Sequence, residues 1–165
     1  MRLISFFEKQ VCKWNEENKC GQCFEFHAPL TSKALNVQQL INPCCTQVLL
    51  TRDVGSAFGT DRTYNNRLAV LDTEYRYKNF RLQICKSINE SVNNHTEILN
   101  NKTKNSKSAY LEDLEECIDN MELDFCEFIG TQWQVTQWRA EQIINKDDNN
   151  YTGYVLSVTI RKRIK

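Results

Sequence analysis

Residues that break regular structure are scarce in this chain: five Gly and two Pro stand among 165 residues. That scarcity excludes collagen-like and low-complexity architectures. Net charge is lacking as well. Twenty-one Lys and Arg balance twenty-one Asp and Glu, so no whole-molecule field draws the chain toward nucleic acid or an anionic membrane, and only local patches can act electrostatically. The longest apolar run near the start, Leu3-Ile4-Ser5-Phe6-Phe7, stops at Glu8 and Lys9, too short for a signal-peptide core or a membrane span. Catalytic signatures are missing too: there is no glycine-rich phosphate loop, no H-E-x-x-H, no G-x-S-x-G and no kinase motif. Neither His27 nor His95 has a partner at motif spacing. Glu115 and Glu116, like Asp147 and Asp148, are adjacent and so point apart on a helix or strand, which is poor geometry for acid/base work. The expectation is a non-enzymatic protein with no cofactor, no small-molecule substrate, no membrane association and no sequence-specific nucleic-acid contact.

What is present is a globular composition, 41% hydrophobic and 10% aromatic, on a chain long enough to bury about two thirds of its unfolded surface in one domain over 1–165. Leu3, Phe7, Val11 and Trp14 recur at helical spacing between charged residues, predicting an amphipathic helix over 2–17. A second helix is predicted from a Ser108 cap, with Tyr110, Leu111, Leu114, Cys117, Ile118 and Met121 as its apolar stripe and Glu112, Asp113, Glu115, Glu116 and Asp119 outside. Strand-like alternation marks Cys23 to Ala28, where His27 is expected to face solvent, and Val48, Leu49 and Leu50 mark Cys45 to Thr51 as another strand. Gly55 and Gly59 are expected to bracket a loop. Two β-rich runs, Arg67 to Tyr77 and Phe80 to Ile88, are expected to form a hairpin turning at Lys78-Asn79, with Phe80, Leu82 and Ile84 on one face. The Asn- and Lys-rich stretch from Asn93 to Lys107 has little to bury and predicts an exposed polar loop. Phe125 to Ile129 and Gln132 to Ile144 read as strand, the latter with a possible helical end past Arg139. Together these elements predict an α+β fold, a mostly antiparallel sheet packed against two amphipathic helices.

Eight cysteines are present. With no leader in the sequence the expected setting is a reducing cytosol, where all eight remain thiols. Cys20-Gly-Gln-Cys23 has metal or redox spacing, and Cys44-Cys45 follows about twenty residues later. The metal expectation is none; the alternative is a small zinc-stabilised or thiol-containing intracellular binding module built on Cys20, Cys23, Cys44 and Cys45. Cys85, Cys117 and Cys126 fall at apolar-pattern positions and read as small core residues.

The chain closes with Asp147-Asp148-Asn149-Asn150-Tyr151-Thr152-Gly153-Tyr154-Val155-Leu156-Ser157-Val158-Thr159-Ile160 and then Arg161, Lys162, Arg163 and Lys165. Alternation from Tyr154 to Ile164 predicts a long strand that must pair inside a sheet, since a free apolar edge of that length invites aggregation. The basic end reads either as a solvated strand end or as an electrostatic interaction surface.

The order of elements, and this acidic/Asn turn followed by a Gly, an aromatic residue and an alternating strand, resembles the small tail-terminator and tail-completion proteins of long-tailed bacteriophages. The resemblance implies a structural virion protein of the tail or neck, made in the bacterial host cytoplasm. It further implies a homo-oligomeric ring, a hexamer, at the head-proximal end of the tail, joining the tail tube to neck and connector proteins.

Overall fold

A computed structural model describes residues 2–17, 23–28, 45–51, 56–65, 67, 70–87, 107–143 and 151–165. In chain order these form α1 (Leu3–Glu16), β1 (Phe24–His27), β2 (Thr46–Thr51), β3 (Ala57–Asn65), β4 (Val70–Ser87), α2 (Lys107–Ile129), β5 (Trp133–Gln142) and β6 (Tyr151–Arg163). The strands make one sheet in the order β1-β2-β4-β6-β5, with β3 also on β4. Every pairing is antiparallel except β1 with β2. The fold is therefore α+β, with both helices packed on one sheet face.

β4, 18 residues long, is the spine. Its C-terminal part pairs β2 through Arg81 to Cys85, and its N-terminal part pairs β3 through Val70 to Asn79, on the same side. The expected turn at Lys78-Asn79 does not exist. Lys78 pairs Phe58 and Ile160, and Asn79 pairs Ala57 and Thr159, so both residues sit inside a doubly paired stretch. Alternation explains this: Tyr75 and Tyr77 lie on one face and Phe80, Leu82 and Ile84 on the other, without a break between them. The hairpin instead joins β3 to β4, and Gly59, expected in a loop, lies inside β3.

The core lies between helices and sheet. α1 buries Phe6, Phe7, Val11 and Trp14, α2 buries Tyr110, Leu114, Ile118, Met121, Phe125 and Ile129, and the sheet meets them with Phe80, Leu82, Ile84, Leu156, Val158 and Ile160. Phe125 to Ile129, expected as strand, is the last turn of α2, because Leu114, Ile118, Met121, Phe125 and Ile129 continue one stripe at steps of four, three, four and four. Gly130, at φ 75°, ends the helix in the left-handed conformation that a helix C-terminus favours. β5 is strand throughout, including the part past Arg139. A bulge between Val135 and Gln137 shifts its register; thus Trp133, Val135 and Trp138, of mixed parity in sequence, all pack against the core. β6 runs between β4 and β5, as its length requires.

Polar contacts tie the layers. Asp124 of α2 accepts from Gln10 Nε2 and Lys13 Nζ of α1, each at 3.2 Å. The Asn15 amide pairs with the backbone of Phe24, donating to its oxygen at 3.0 Å and accepting from its N–H at 2.8 Å, and so anchors the edge strand β1. The regions 30–43 and 144–150, and residues 93–106 of the expected polar loop, lie outside the described residues; Lys107, expected in that loop, begins α2, so Ser108 lies within the helix instead of capping it. No helix among the described residues is long and apolar enough to cross a membrane.

Cys23 and Cys45 are joined in a disulfide, with Cα atoms 4.9 Å apart, which corrects the expectation of eight thiols. The cause is register. Phe24 stands opposite Thr46 in the parallel β1–β2 pair, so the residues just before them meet. The bond withdraws two of eight cysteines, leaving at most six thiols when the denatured protein is titrated without reductant. In the folded protein the exposed Cys12 and Cys126, the latter expected in the core, should alkylate first, although burial and Glu122 raise the Cys126 thiol, while Cys85, fully buried and with burial pushing its thiol up to about 11, should resist. Mass spectrometry after timed alkylation checks both, and early labelling of Cys85 would contradict its burial.

Candidate functional site

The sheet face turned away from the helices is the strongest candidate. Strand alternation sends Tyr75, Tyr77, Asn79 and Arg81 of β4 and Ser157, Thr159, Arg161 and Arg163 of β6 to that side. The register stacks them in rows: Tyr75 beside Arg163, Tyr77 beside Arg161 and Gln134, Asn79 beside Thr159 and Gln137, and Arg81 beside Ser157 and Arg139. Arg81, Arg139, Arg161 and Arg163 are all exposed. The Arg161 guanidinium lies 4.7 Å from the centre of the Tyr75 ring, a cation–π contact that holds it flat along the sheet. Arg139 Nη2 is 2.9 Å from Glu141 Oε1, and Thr159 Oγ1 donates to Gln137 Oε1 at 3.2 Å. Asn79, Arg81, Gln137, Arg139, Ser157 and Thr159 line a shallow depression of about 650 Å³ on this face. Planar guanidiniums beside hydroxyls and amides are suited to grip carboxylates or phosphates of a large partner.

Of the four basic residues singled out by sequence, the structure brings two together. Arg161 and Arg163 share this face, while Lys162 points to the opposite one, pairing with Arg76 and Trp133. Lys165 lies beyond β6, its backbone exchanging hydrogen bonds with Glu74 at 3.0 and 3.2 Å. Sequence reasoning missed Arg81, Arg139, Tyr75 and Tyr77, because they come from β4 and β5, with β6 between, and gather only through the register.

The other candidates are placed as follows. Cys23 and Cys45, half of the alternative zinc set, are bonded to each other and offer no thiolate in that state; Cys20 and Cys44 lie outside the described residues. His27 is half-buried rather than solvent-facing, with Nε2 2.9 Å from Gln47 Oε1 and 3.5 Å from Glu25 Oε2. His95 lies outside the described residues. Among the described residues no group of three or more His, Cys, Asp or Glu is placed to hold a metal. An apolar groove of about 630 Å³ opens where β2 ends and β3 begins along the same edge of β4, lined by Leu3, Ile4, Leu50 and Phe80, with Arg2 and Lys78 also lining it. Phe58 stands beside it, 83% exposed.

On the helix side, the Tyr154 hydroxyl donates to the Glu115 carboxylate. Burial and that carboxylate hold Tyr154 well above its ordinary value near 10. The unfolded chain therefore releases this proton first, so the stability that Tyr154 contributes is complete below pH 10 and lost as pH rises above it. Melting curves should show an alkaline decline that Tyr154→Phe flattens, and an unchanged decline in that variant would remove this pair as its source.

No protein-family model matches this chain, and a search of curated proteins found no match either.

Proposed function

We propose that this chain is a non-enzymatic structural subunit of a long-tailed phage, a tail-terminator or tail-completion protein that forms a ring between tail tube and neck. The observation that carries this reading is the β3–β4 hairpin. Val70 to Thr73 have β3 as their strand partner and lie beyond the end of β6. Tyr64 and Val70 on this arm are each 52% exposed. A two-stranded ribbon is marginal alone in water, and one that carries exposed apolar residues gains stability by lying on a neighbour, as ring subunits do. The Arg- and Tyr-bearing sheet face supplies a second surface, suited to a tube or neck protein with complementary acids. The closing strand with Gly153 and Tyr154 is the resemblance that names the family.

Negative-stain images of the purified chain test the ring: closed annuli of one size are expected, and a uniform monomer overturns the reading. For the sheet face, replacing Arg161, Arg163 and Lys165 together by Gln should leave the melting temperature unchanged, because all three are exposed. Docking to tail tubes should weaken in the variant, as added salt should weaken it in the native protein. Docking indifferent to both would remove this face from the proposal.

A further inference from the structure

The apolar groove beside Phe58 has the size and chemistry of a small-ligand site. Its walls are the first turn of α1, the end of β2, the start of β3 and the middle of β4. At about 630 Å³ it falls within the range of about 300–1,000 Å³ usual for small-molecule pockets. Leu3, Ile4, Leu50, Phe58 and Phe80 give it apolar surface. Leu50 and Phe80 are held in the core, each 3% exposed, whereas Phe58 is left almost wholly in water. A ring so placed at the side of an apolar groove gains from being covered.

The charge in the groove has one sign. Arg2 and Lys78 are its only ionisable lining residues among the described residues. Neither is held in an ion pair there; the cations so engaged are Lys13, His27, Arg62 and Arg139. Two unpaired cations with no acid between them suit an anion. The end of α1 adds to this field. Its first turn holds no acid, and Arg2 at its N-cap makes no side-chain capping bond. The first helical bond runs from Phe6 N–H to the Arg2 oxygen at 3.2 Å, so the N–H groups of Leu3, Ile4 and Ser5 have no acceptor within the helix. A matching ligand is therefore anionic at one end and apolar over the rest.

We infer that the groove binds a free fatty acid, its carboxylate against Arg2 and Lys78 and its alkyl chain along Leu50, Phe80 and Phe58. An alkyl chain asks only contact of these walls. A peptide would set its amides against apolar side chains, and each amide without a partner is costly. The site lies at the Phe58 end of β3, whereas the proposed ring uses the Tyr64 end, so it does not depend on that reading.

Calorimetric titration of the full chain with dodecanoate, kept below its micellar concentration, should show one equivalent bound. Dodecyltrimethylammonium, the same chain with the opposite charge, and acetate, the head without the chain, should not bind. Each methylene removed from dodecanoate should weaken binding about two- to fourfold. Lys78→Met, which keeps the stem and removes the charge, should weaken it about tenfold or more, and Phe58→Ser about tenfold. Lys9→Ala removes an exposed cation of α1 that does not line the groove and should change nothing. Circular dichroism should show these variants folded, since none of the three side chains belongs to the core. Arg2→Gln, at the exposed start of α1, reads the same charge should Lys78→Met fail to fold. Equal binding of the ammonium amphiphile, or dodecanoate binding untouched by Phe58→Ser and by the charge variants, would mean surfactant adsorption and overturn the inference. Binding of acetyl-Leu-Val-Leu through its C-terminal carboxylate, with none of dodecanoate, would overturn it in favour of a protein partner.

Discussion

Phe125→Ala should lower stability by about 3–5 kcal/mol, the range for deleting a buried ring that its surroundings cannot refill. Phe125 is fully buried where the two helices meet the sheet. Its ring lies 5.4 Å from Phe6, 5.8 Å from Phe80 and 5.5 Å from Trp138, centre to centre, so it touches α1, β4 and β5 at once. None of these can move in without abandoning another partner, and the cavity stays open. In a domain of this size the loss corresponds to a melting temperature about 10 °C lower. Phe128→Ala is the control. That ring stacks on Phe6 at 4.7 Å but is 39% exposed, and its removal should cost about 1 kcal/mol. Thermal or urea unfolding checks both, and equal losses would mean that the cluster is not centred on Phe125.

Gly153→Val should prevent folding outright. A Cβ at Gly153 would lie 1.9 Å from the carbonyl oxygen of Ile84 and 2.7 Å from the Cα of Cys85. Both obstacles are backbone of β4, and neither can rotate aside. Gly153 also stands at φ 156°, which a side chain rarely adopts. The clash can be relieved only by parting β4 from β6 at the pair Cys85–Gly153, which exposes ladder hydrogen bonds and the Ile84 and Tyr154 packing beside them. The expected cost is about 4 kcal/mol or more, seen as loss of soluble protein, and Gly153→Ala should suffer similarly because the Cβ alone collides. Gly130→Ala separates conformation from collision: nothing lies within 4 Å of a Cβ there and φ is 75°, so about 1 kcal/mol is expected. Soluble, normally melting Gly153→Val protein would show that β6 does not approach β4 so closely.

Signals carried within one element were legible in the sequence. The stripe of α1, the alternation of β1 and β6, and the facing of Phe80, Leu82 and Ile84 each follow from a single period, and the apolar run Val48-Leu49-Leu50 marks β2. What escaped depended on partners distant in the chain. Lys78-Asn79 looked like a turn because polar residues punctuate hairpins, yet both are held by ladders on either side. Phe125 to Ile129 is rich in aromatic and β-branched residues, and it stays helical because its buried positions extend the stripe of α2. The Cys23–Cys45 bond required knowing that β1 and β2 run parallel and in what register. For the sheet face, consecutive basic residues at the C-terminus were visible but alternation divides them, whereas Arg81 and Arg139 join the group only through Ser157 between them.

β4 also has a mechanical consequence. The strand that forms the β3–β4 arm continues, with no turn at Lys78-Asn79, into the middle of the sheet, where β2 and β6 grip it on both sides. Tension applied to the arm along its length loads those ladders in shear, many hydrogen bonds sharing the pull together, rather than peeling them one by one. The arm is thus a tether rooted in the sheet, and a neighbour that tugs on it strains the whole subunit before the arm can detach.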